Sequence, residues 1–248
     1  MRRIFLRVAY DGTDFHGWQV QPEERSVEGE LNKAIKELTG EEVEVIGASR
    51  TDSGVHGLGN VAVFDTESSI PAEKFMYAIN TYLPEDVSVV ESKEVASDFH
   101  PRHCDSIKTY EYRIYVSRVN APLKRRTAYR CPVNLNVEKM DEAAGYLVGE
   151  HDFKSFCCVR TQAETTVRTL YSASVFHDDE DIVIRVIGAG FLYNMVRIIA
   201  GSLMEVGMGK REPSHIKEVL EGTDRTLAGP TAEACGLTLI GIEFPGLE

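Results

Sequence analysis

The chain has 248 residues, with 27 lysines and arginines against 39 aspartates and glutamates, which gives a formal net charge of −12. Its apolar and charged fractions predict a soluble globular protein of one or two domains. No window approaches the run of about 18 apolar residues that a membrane span needs, and the first residues alternate like a strand rather than forming a signal peptide. The five cysteines lack C-x-x-C spacing, which argues against a disulfide framework or structural zinc and favours a reducing cytoplasm.

Positive charge is concentrated in residues 100–130, here called the basic stripe. This segment has eight basic and two acidic residues, a net charge of +6, so the remainder of the chain carries −18. A local concentration of bases can contact nucleic-acid phosphates even on an acidic protein. The alternative is a solvated arginine-rich loop. The bases are Arg102, Lys108, Arg113, Arg118, Lys124, Arg125, Arg126 and Arg130.

The first part of the chain predicts alternating strands and helices. Residues 4–9 alternate as a strand, and a connection rich in glycine and aspartate follows, with the only tryptophan, Trp18. Ser26 is placed to cap a helix that stops at Gly40. A strand over 42–48 leads into a loop, and a second strand returns through Val61, Ala62 and Val63. Pro71 begins a helix that extends to about Tyr82, and strand patterns follow at 87–95 and 108–116.

The pattern restarts near residue 134. Asn136 is placed to cap a helix, and residues 169–190 form a hairpin whose turn is acidic. An apolar helix begins at Phe191. A short helix at Pro213 then precedes a last strand over 237–244. Each half therefore has strands and helices in similar order. We expect an α+β protein with mixed, mainly antiparallel sheets, divided at residues 1–105 and 106–248, whose halves share one continuous sheet.

Residues 47–64 contain candidate catalytic residues. They place Arg50, Thr51, Asp52 and His56 in a glycine-containing loop between two strands, and Gly47 and Gly54 let the backbone present Asp52. A carboxylate can act as a nucleophile or a general base, and it needs a cationic partner to stay ionised where solvation is poor. The ordinary alternatives are an Asx-turn at Asp52 and hydrogen-bonded structural roles for His56 and for His151.

The apolar helix offers such a cation. Tyr193, Asn194, Arg197 and Gly201 share a narrow strip on a helix that is otherwise apolar. Arg197 is either an exposed arginine or a clamp on a buried carboxylate, to which its guanidinium is suited. Tyr110 lies in a strand within the basic stripe, where it either packs across strands or stacks on an extruded base.

Several cofactor signatures are absent from the sequence. There is no P-loop, no G-x-G-x-x-G after a strand and no H-E-x-x-H, and His100 and His103 have no second ligand pair nearby. We therefore expect neither a metal nor a dinucleotide cofactor.

Six sequence blocks in order resemble the tRNA pseudouridine synthase I family of the TruA type. They cover nearly the whole chain, and the most specific is the arginine–threonine–aspartate–x–glycine–valine–histidine core at residues 50–56. The blocks are YDGTDFHGWQ at 10–19, GASRTDSGVHG at 47–57, DFHPRHCDSIKTYEYRI at 98–114, GEHDFKSF at 149–156, GAGFLYNMVRIIAG at 188–201 and GPTAEACGLTL at 229–239.

The resemblance implies isomerisation of uridine to pseudouridine at positions 38, 39 and 40 of the tRNA anticodon stem-loop, without a cofactor. It implies two pseudo-symmetric ferredoxin-like halves flanking a positively charged cleft, and a homodimer. Asp52 matches the catalytic nucleophile or base, and Arg197 the arginine paired with it. Tyr110 matches the tyrosine that packs on the target base, Leu237 the apolar residue beneath that base, and Arg50 the arginine that assists base extrusion. Arg102 and Lys108 would contact phosphates.

The residues that depart from the family pattern flank the expected catalytic residues and do not replace them. Ser49 stands where glycine is usual, Ser53 and Gly57 where alanine is usual, Asn60 where glutamine is common, and Cys235 among residues that are usually small or acidic. Two other functions remain open at this point. A non-catalytic tRNA-binding module would not need Asp52 and Arg197, and a hydrolase would need an oriented Asp52–His56 pair or a metal.

Overall fold

The computed structural model describes residues 1–158 and 164–247, which contain ten strands and five α-helices. The strands are β1 Arg2–Tyr10, β2 Ile46–Gly47, β3 His56–Thr66, β4 Val87–Val95, β5 Ile107–Val116, β6 Tyr129–Cys131, β7 Gly149–Asp152, β8 Val167–Asp178, β9 Asp181–Gly188 and β10 Leu237–Glu243. The helices are α1 Val27–Thr39, α2 Phe75–Ile79, α3 Val137–Gly145, α4 Met195–Gly207 and α5 His215–Gly222.

The chain forms two compact units. The first unit comprises Met1–Asp105 and Leu239–Glu248, and the second comprises Ser106–Thr238. Strand β10 begins in the second unit, and its residues from Leu239 onward belong to the first.

The sheet of the first unit is built around β1, which pairs antiparallel with β3 on one side and with β4 on the other. Ile4 lies opposite Phe64 and Leu6 opposite Ala62, so their apolar side chains line one face of the sheet. Helices α1 and α2 cover this face, and the shared core is fully buried at Leu31, Phe64 and Phe75. Burial of this face holds the strand register in place.

Helix α1 begins and ends where the sequence predicts. The Ser26 side chain accepts a hydrogen bond from the backbone N–H of Gly29, and Gly40 follows the helix in the left-handed region. Val27, Leu31, Ala34 and Ile35 are buried on one side of the helix. The caps satisfy backbone groups at both helix ends.

Two elements of the first unit are shorter than predicted. The strand predicted over 42–48 covers only Ile46–Gly47, because the N–H of Val45 binds the side chain of Asn32 on α1 instead of a neighbouring strand. The helix predicted from Pro71 to Tyr82 is a 3-10 turn, Ala72–Lys74, followed by α2. It ends early because the Asn80 side chain binds both the N–H and the C=O of Val89 on β4.

The second unit has the strand order β5-β9-β8-β7, with antiparallel pairing throughout, and β6 adds parallel to β5. The predicted hairpin is confirmed: β8 and β9 pair up to Asp178 and Asp181, and the turn lies at residues 179–180. Helix α3 is capped by the Asn136 side chain, as predicted, and its Asp141 accepts a hydrogen bond from the N–H of Val175 on β8.

Helix α4 begins four residues later than predicted, at Met195 rather than Phe191. Asn194, just before it, has φ +60 in the left-handed region, which a right-handed helix does not pass through. Leu192, Met195, Ile198, Ile199 and Leu203 are all buried, in agreement with the predicted apolar arc.

The class α+β with mixed, mainly antiparallel sheets is thus confirmed, while the positively charged cleft stays a prediction. Among residues 1–158 and 164–247 there is no helix with the length and apolar composition needed to span a membrane.

Candidate active site

The Asp52 loop, residues 48–55, connects β2 to β3. Two of its residues are anchored to the interior of the first unit. The side-chain Nδ2 of Asn60 donates to the carbonyl oxygen of Ser49 at 2.9 Å, and the hydroxyl groups of Tyr10 and Thr51 are 2.8 Å apart. Ser49 and Thr51 are both buried, whereas Arg50 between them is exposed. Arg50 is therefore the exposed side chain between two buried neighbours.

The start of the loop is held from two other directions. A Cβ added at Gly47 would lie 2.2 Å from Nε1 of the buried Trp18 side chain, so only glycine fits there. Arg102 donates from Nε to the carbonyl oxygen of Gly47 at 2.8 Å. The backbone N–H of Trp18 also donates to the carbonyl oxygen of Thr51. Arg102, predicted to contact phosphate, thus also supports the loop.

Asp52 is half-buried and lies where the loop turns. The N–H of Val55 donates to the carbonyl oxygen of Asp52 at 3.1 Å, and Gly54 has φ +76. The Ser53 hydroxyl and the N–H of Gly54 both donate to the carbonyl oxygen of Phe15. The turn beside the carboxylate is therefore fixed to the segment that follows β1.

His56 is a buried structural histidine, in agreement with the ordinary interpretation of the sequence. Its Nδ1 accepts a hydrogen bond from the N–H of Gly12 at 3.1 Å and lies 3.2 Å from a carboxylate oxygen of Asp11. Its Nε2 is buried without a hydrogen-bond partner among the described residues. Neither ring nitrogen is bonded to Asp52, so among the described residues the Asp52–His56 pair that a hydrolase would need is not formed.

The second unit holds Tyr110, Arg197 and Leu237. Tyr110 lies on β5 opposite Val186, is buried, and packs edge-on against Phe191 with ring centroids 5.0 Å apart. Leu237 is buried at the start of β10. Lys108 lies near the start of β5, half-buried, opposite Gly188.

Arg197 is half-buried on α4 and binds two oxygen atoms of its own unit. Its Nε donates to the carbonyl oxygen of Ala232 at 2.7 Å, and Nη1 donates to the side chain of Asn194 at 2.9 Å. A Cβ added at Gly201, one turn further on, would lie 1.8 Å from the carbonyl oxygen of Pro230. Arg197 and Gly201 of the polar strip therefore pack against the segment around residues 230–232, whereas Tyr193 is exposed.

Two ionisable groups near Arg197 are kept neutral by burial. Burial raises the pKa of the Tyr112 hydroxyl far above its ordinary value and also raises the pKa of the Cys235 thiol, while the positive charge of Arg197 acts in the opposite direction on both pKa values. The Tyr112 hydroxyl donates to the carbonyl oxygen of Glu233 at 2.9 Å. Both groups therefore stay neutral beside the positive charge of Arg197, while Glu233 contributes negative charge to the same neighbourhood.

Part of the basic stripe is neutralised by acids of the β8–β9 hairpin. Arg113 forms an ion pair with Asp178 at 2.8 Å, and Lys124 forms one with Asp181 at 2.6 Å. Arg125 is exposed, and among the residues that the structure describes its hydrogen-bond acceptor is a neutral carbonyl group, that of Pro122. The eight bases of the sequence are therefore not equivalent as phosphate contacts.

Similarity to known proteins decides the family. The family model described as tRNA pseudouridine synthase matches residues 7–103 and 143–245. The chain is 45% identical to tRNA pseudouridine synthase A of Caldicellulosiruptor bescii and 48% identical to that of Ruminiclostridium cellulolyticum, in each case over 98% of this chain and 100% of the relative. The chain belongs to the tRNA pseudouridine synthase family.

A solved structure described as "Crystal Structure of a Cbf5-Nop10-Gar1 Complex" is 15% identical with a TM-score of 0.32, covering 93% of this chain and 56% of that one. A likeness at this level is too weak to indicate a shared fold.

The two regions matched to the tRNA pseudouridine synthase family contain most of the predicted site. The first includes the whole Asp52 loop and Arg102, and the second includes Arg197 and Leu237. Tyr110 and Lys108 lie in the interval between the two matched regions.

Tyr10, Trp18 and Asn60 were not predicted to support the loop. One signal in the sequence was available: Asn60 is a polar residue directly before the apolar run Val61, Ala62 and Val63, and a buried asparagine must find hydrogen-bond partners. Among residues 1–158 and 164–247, no cluster of three or more His, Cys, Asp or Glu side chains could hold a metal ion.

Proposed function

We propose that this protein is a tRNA pseudouridine synthase that isomerises uridine to pseudouridine at positions 38, 39 and 40 of the anticodon stem-loop. The observation that carries the proposal is the match to relatives named tRNA pseudouridine synthase A over 98% of the chain. The local structure supports it, since the Asp52 loop is rigidly anchored and leaves Arg50 exposed beside Asp52.

In the proposed reaction Asp52 acts at the ribose–uracil linkage as nucleophile or base. The bond between C1′ and N1 breaks, the detached uracil turns, and a bond forms between C1′ and C5. The proton on C5 is then lost, and N1, which carries no proton while it is bonded to C1′, gains one, so the product has the same atoms as the substrate. We assign to Arg197 the task of keeping the Asp52 carboxylate ionised, since an arginine remains charged in surroundings that favour neutral groups.

The remaining residues would bind the nucleic acid. Tyr110 would pack on the target base and take the C5 proton, and Leu237 would lie beneath that base. The base must leave the helical stack, which costs a few kcal/mol, and Arg50 would offset part of this cost. Arg102 and Lys108 would contact phosphates, which position the RNA without reading its sequence.

We further propose that the protein acts as a homodimer in the cytoplasm. The described cysteines are all reduced, including the exposed Cys104, which suits a reducing compartment. Light scattering of the purified protein at micromolar concentration would test the dimer directly, because a monomer has a mass of 27.6 kDa.

The deciding experiment uses an unmodified tRNA with uridine at positions 38 to 40. We expect the unsubstituted protein to produce pseudouridine there, detected as a carbodiimide adduct by mass spectrometry because isomerisation leaves the mass unchanged. Asp52→Asn is expected to abolish the adduct, because an amide is neither a nucleophile nor a base at neutral pH. Glu37→Gln, which neutralises an exposed carboxylate on α1, is the matched control and should retain activity.

The other outcomes point to the other functions. Tight tRNA binding without pseudouridine would indicate a non-catalytic binding module. Release of free uracil or cleavage of the strand would indicate a hydrolase. Full activity of Asp52→Asn would show that the catalytic residue has been misassigned.

A further inference from the structure

The hydrogen bonds behind the Asp52 loop form one connected buried group. The Asn60 amide donates both to the carbonyl oxygen of Ser49, at 2.9 Å, and to the hydroxyl of Tyr10, at 3.3 Å, and that hydroxyl is 2.8 Å from the Thr51 hydroxyl. Asn60 is 0% exposed and Tyr10 5% exposed. We call Tyr10 and Asn60 the brace.

The position of the brace is specific to the candidate active site. It holds residues 49 and 51, which alternate with Arg50 and Asp52, so it fixes the direction in which the latter two point. Polar side chains are costly to bury, and an apolar pair of similar size would fill the same space. The connected hydrogen bonds therefore indicate a requirement for one defined loop conformation.

The ring of Tyr10 is itself tightly held. It packs against Trp18 with ring centroids 5.9 Å apart, and a Cβ added at Gly57 would lie 2.6 Å from the ring. The nearest atoms at Gly57 are ring carbons, with the hydroxyl oxygen at 2.9 Å, so removal of the hydroxyl leaves the packing of the ring in place. Tyr10→Phe thus separates the role of the hydrogen bond from that of packing.

We propose that Tyr10 and Asn60 are positioning residues for Asp52, acting through Thr51 and Ser49. The inference rests on the proposed function of Asp52. A displacement of about 1 Å at a reacting group lowers a rate by about 100-fold. Loss of the brace should therefore reduce the rate of the chemical step. The binding of tRNA should be retained, because it involves exposed basic side chains of the protein.

The first test is the steady-state kcat of Tyr10→Phe with saturating tRNA. We expect kcat to fall by about 10- to 100-fold, with the tRNA Kd changed by less than about twofold. The matched control is Ser92→Ala, which removes another buried hydroxyl of the first unit, bonded to the Ala72 carbonyl and the Met76 N–H. The brace is excluded if Ser92→Ala lowers kcat as much as Tyr10→Phe, or if Tyr10→Phe retains full kcat.

The second test asks whether Tyr10 acts through Thr51. Thr51→Val removes the hydroxyl that Tyr10 binds, and the double variant should then lose no more kcat than Tyr10→Phe alone, since both changes remove one interaction. Losses that multiply would show that the two residues act independently. Asn60→Leu should lower kcat similarly, and Asn60→Gln, which restores an amide donor, should recover part of it.

A third measurement does not depend on activity. Hydrogen–deuterium exchange followed by mass spectrometry should show faster exchange in residues 48–55 of Tyr10→Phe, with unchanged exchange in α1. If the unsubstituted protein makes no pseudouridine, the proposed function fails. This measurement still tests whether the brace holds the conformation of the Asp52 loop. Faster exchange confined to the loop supports it, and unchanged exchange overturns it.

Discussion

Arg3 and Asp65 show how a single ion pair is built into the sheet of the first unit. They lie opposite each other on β1 and β3, and the guanidinium binds both carboxylate oxygens, at 2.8 and 2.6 Å. Arg3 also donates to the carbonyl oxygen of Phe99, at the beginning of the segment that carries Arg102. The pair therefore links the central strands to the segment that supports the Asp52 loop.

This pair predicts a pH-dependent contribution to stability. The hydrogen bond from Arg3 lowers the pKa of Asp65 below its ordinary value, so the contribution is present above the unfolded pKa of about 3.9 and is lost as the pH falls through the lower, folded pKa. At pH 7, Asp65→Asn should lower the free energy of unfolding by no more than about 1 kcal/mol, since water screens the carboxylate. Urea unfolding at a series of pH values should show this difference shrinking below pH about 4.

Glu37→Gln is the control, because it neutralises an exposed carboxylate without removing an ion pair of this geometry. Its difference from the unsubstituted protein should be small at every pH. A difference for Asp65→Asn that stays constant down to acidic pH would show that the charge of Asp65 is not the cause.

At the scale of the element, helix caps were a dependable sequence signal in this chain. Ser26 and Asn136 both accept hydrogen bonds from backbone N–H groups of the helices that follow them. Ser214 also stands directly before a helix, α5, but its φ of −61 and ψ of −19 are helical and its side chain makes no capping hydrogen bond. A serine before a helix is therefore a cap only when its backbone is extended.

The contrast gives a paired prediction. Ser26→Ala removes a cap bond and should lower the free energy of unfolding by about 1 kcal/mol, whereas Ser214→Ala removes none and should change it by less than about 0.5 kcal/mol. Urea denaturation followed by circular dichroism measures both. Equal losses for the two variants would contradict the assignment of Ser26 as the functional cap.

The whole molecule carries a net charge of −12 and is proposed to bind a polyanion. The structure divides the basic stripe into bases that are neutralised by neighbouring acids and bases that are not. Arg113 forms ion pairs with Asp178 and Asp181, while Arg125 is exposed and donates to a carbonyl group. Formal charge along the sequence therefore overstates the number of bases available to phosphate.

This division predicts the salt dependence of tRNA binding. Arg125→Ala should weaken binding and reduce the slope of log Kd against log salt concentration by about 1, because one fewer counterion is released on binding. Arg113→Ala should leave the slope nearly unchanged, since its charge is already balanced. Fluorescence titration of labelled tRNA at several salt concentrations tests both. An equal effect of the two substitutions would show that the ion pairs open on binding.

The sequence alone determined the features that depend on neighbouring residues. The alternation in β1, the caps of α1 and α3, the turn of the β8–β9 hairpin and the motif around Asp52 follow from periodicity, short-range hydrogen bonding or residue type. The motif blocks indicated the family, which the comparisons then confirmed.

Only the tertiary structure decided what supports these features. The Tyr10–Thr51 bond joins residues 41 positions apart, Asn32 replaces a strand partner for Val45, and Asn80 ends α2 by binding β4. In each case a side chain from a distant segment competes with the local backbone pattern. The outcome of this competition depends on where the distant segment lies in the fold, and the local sequence does not determine that position.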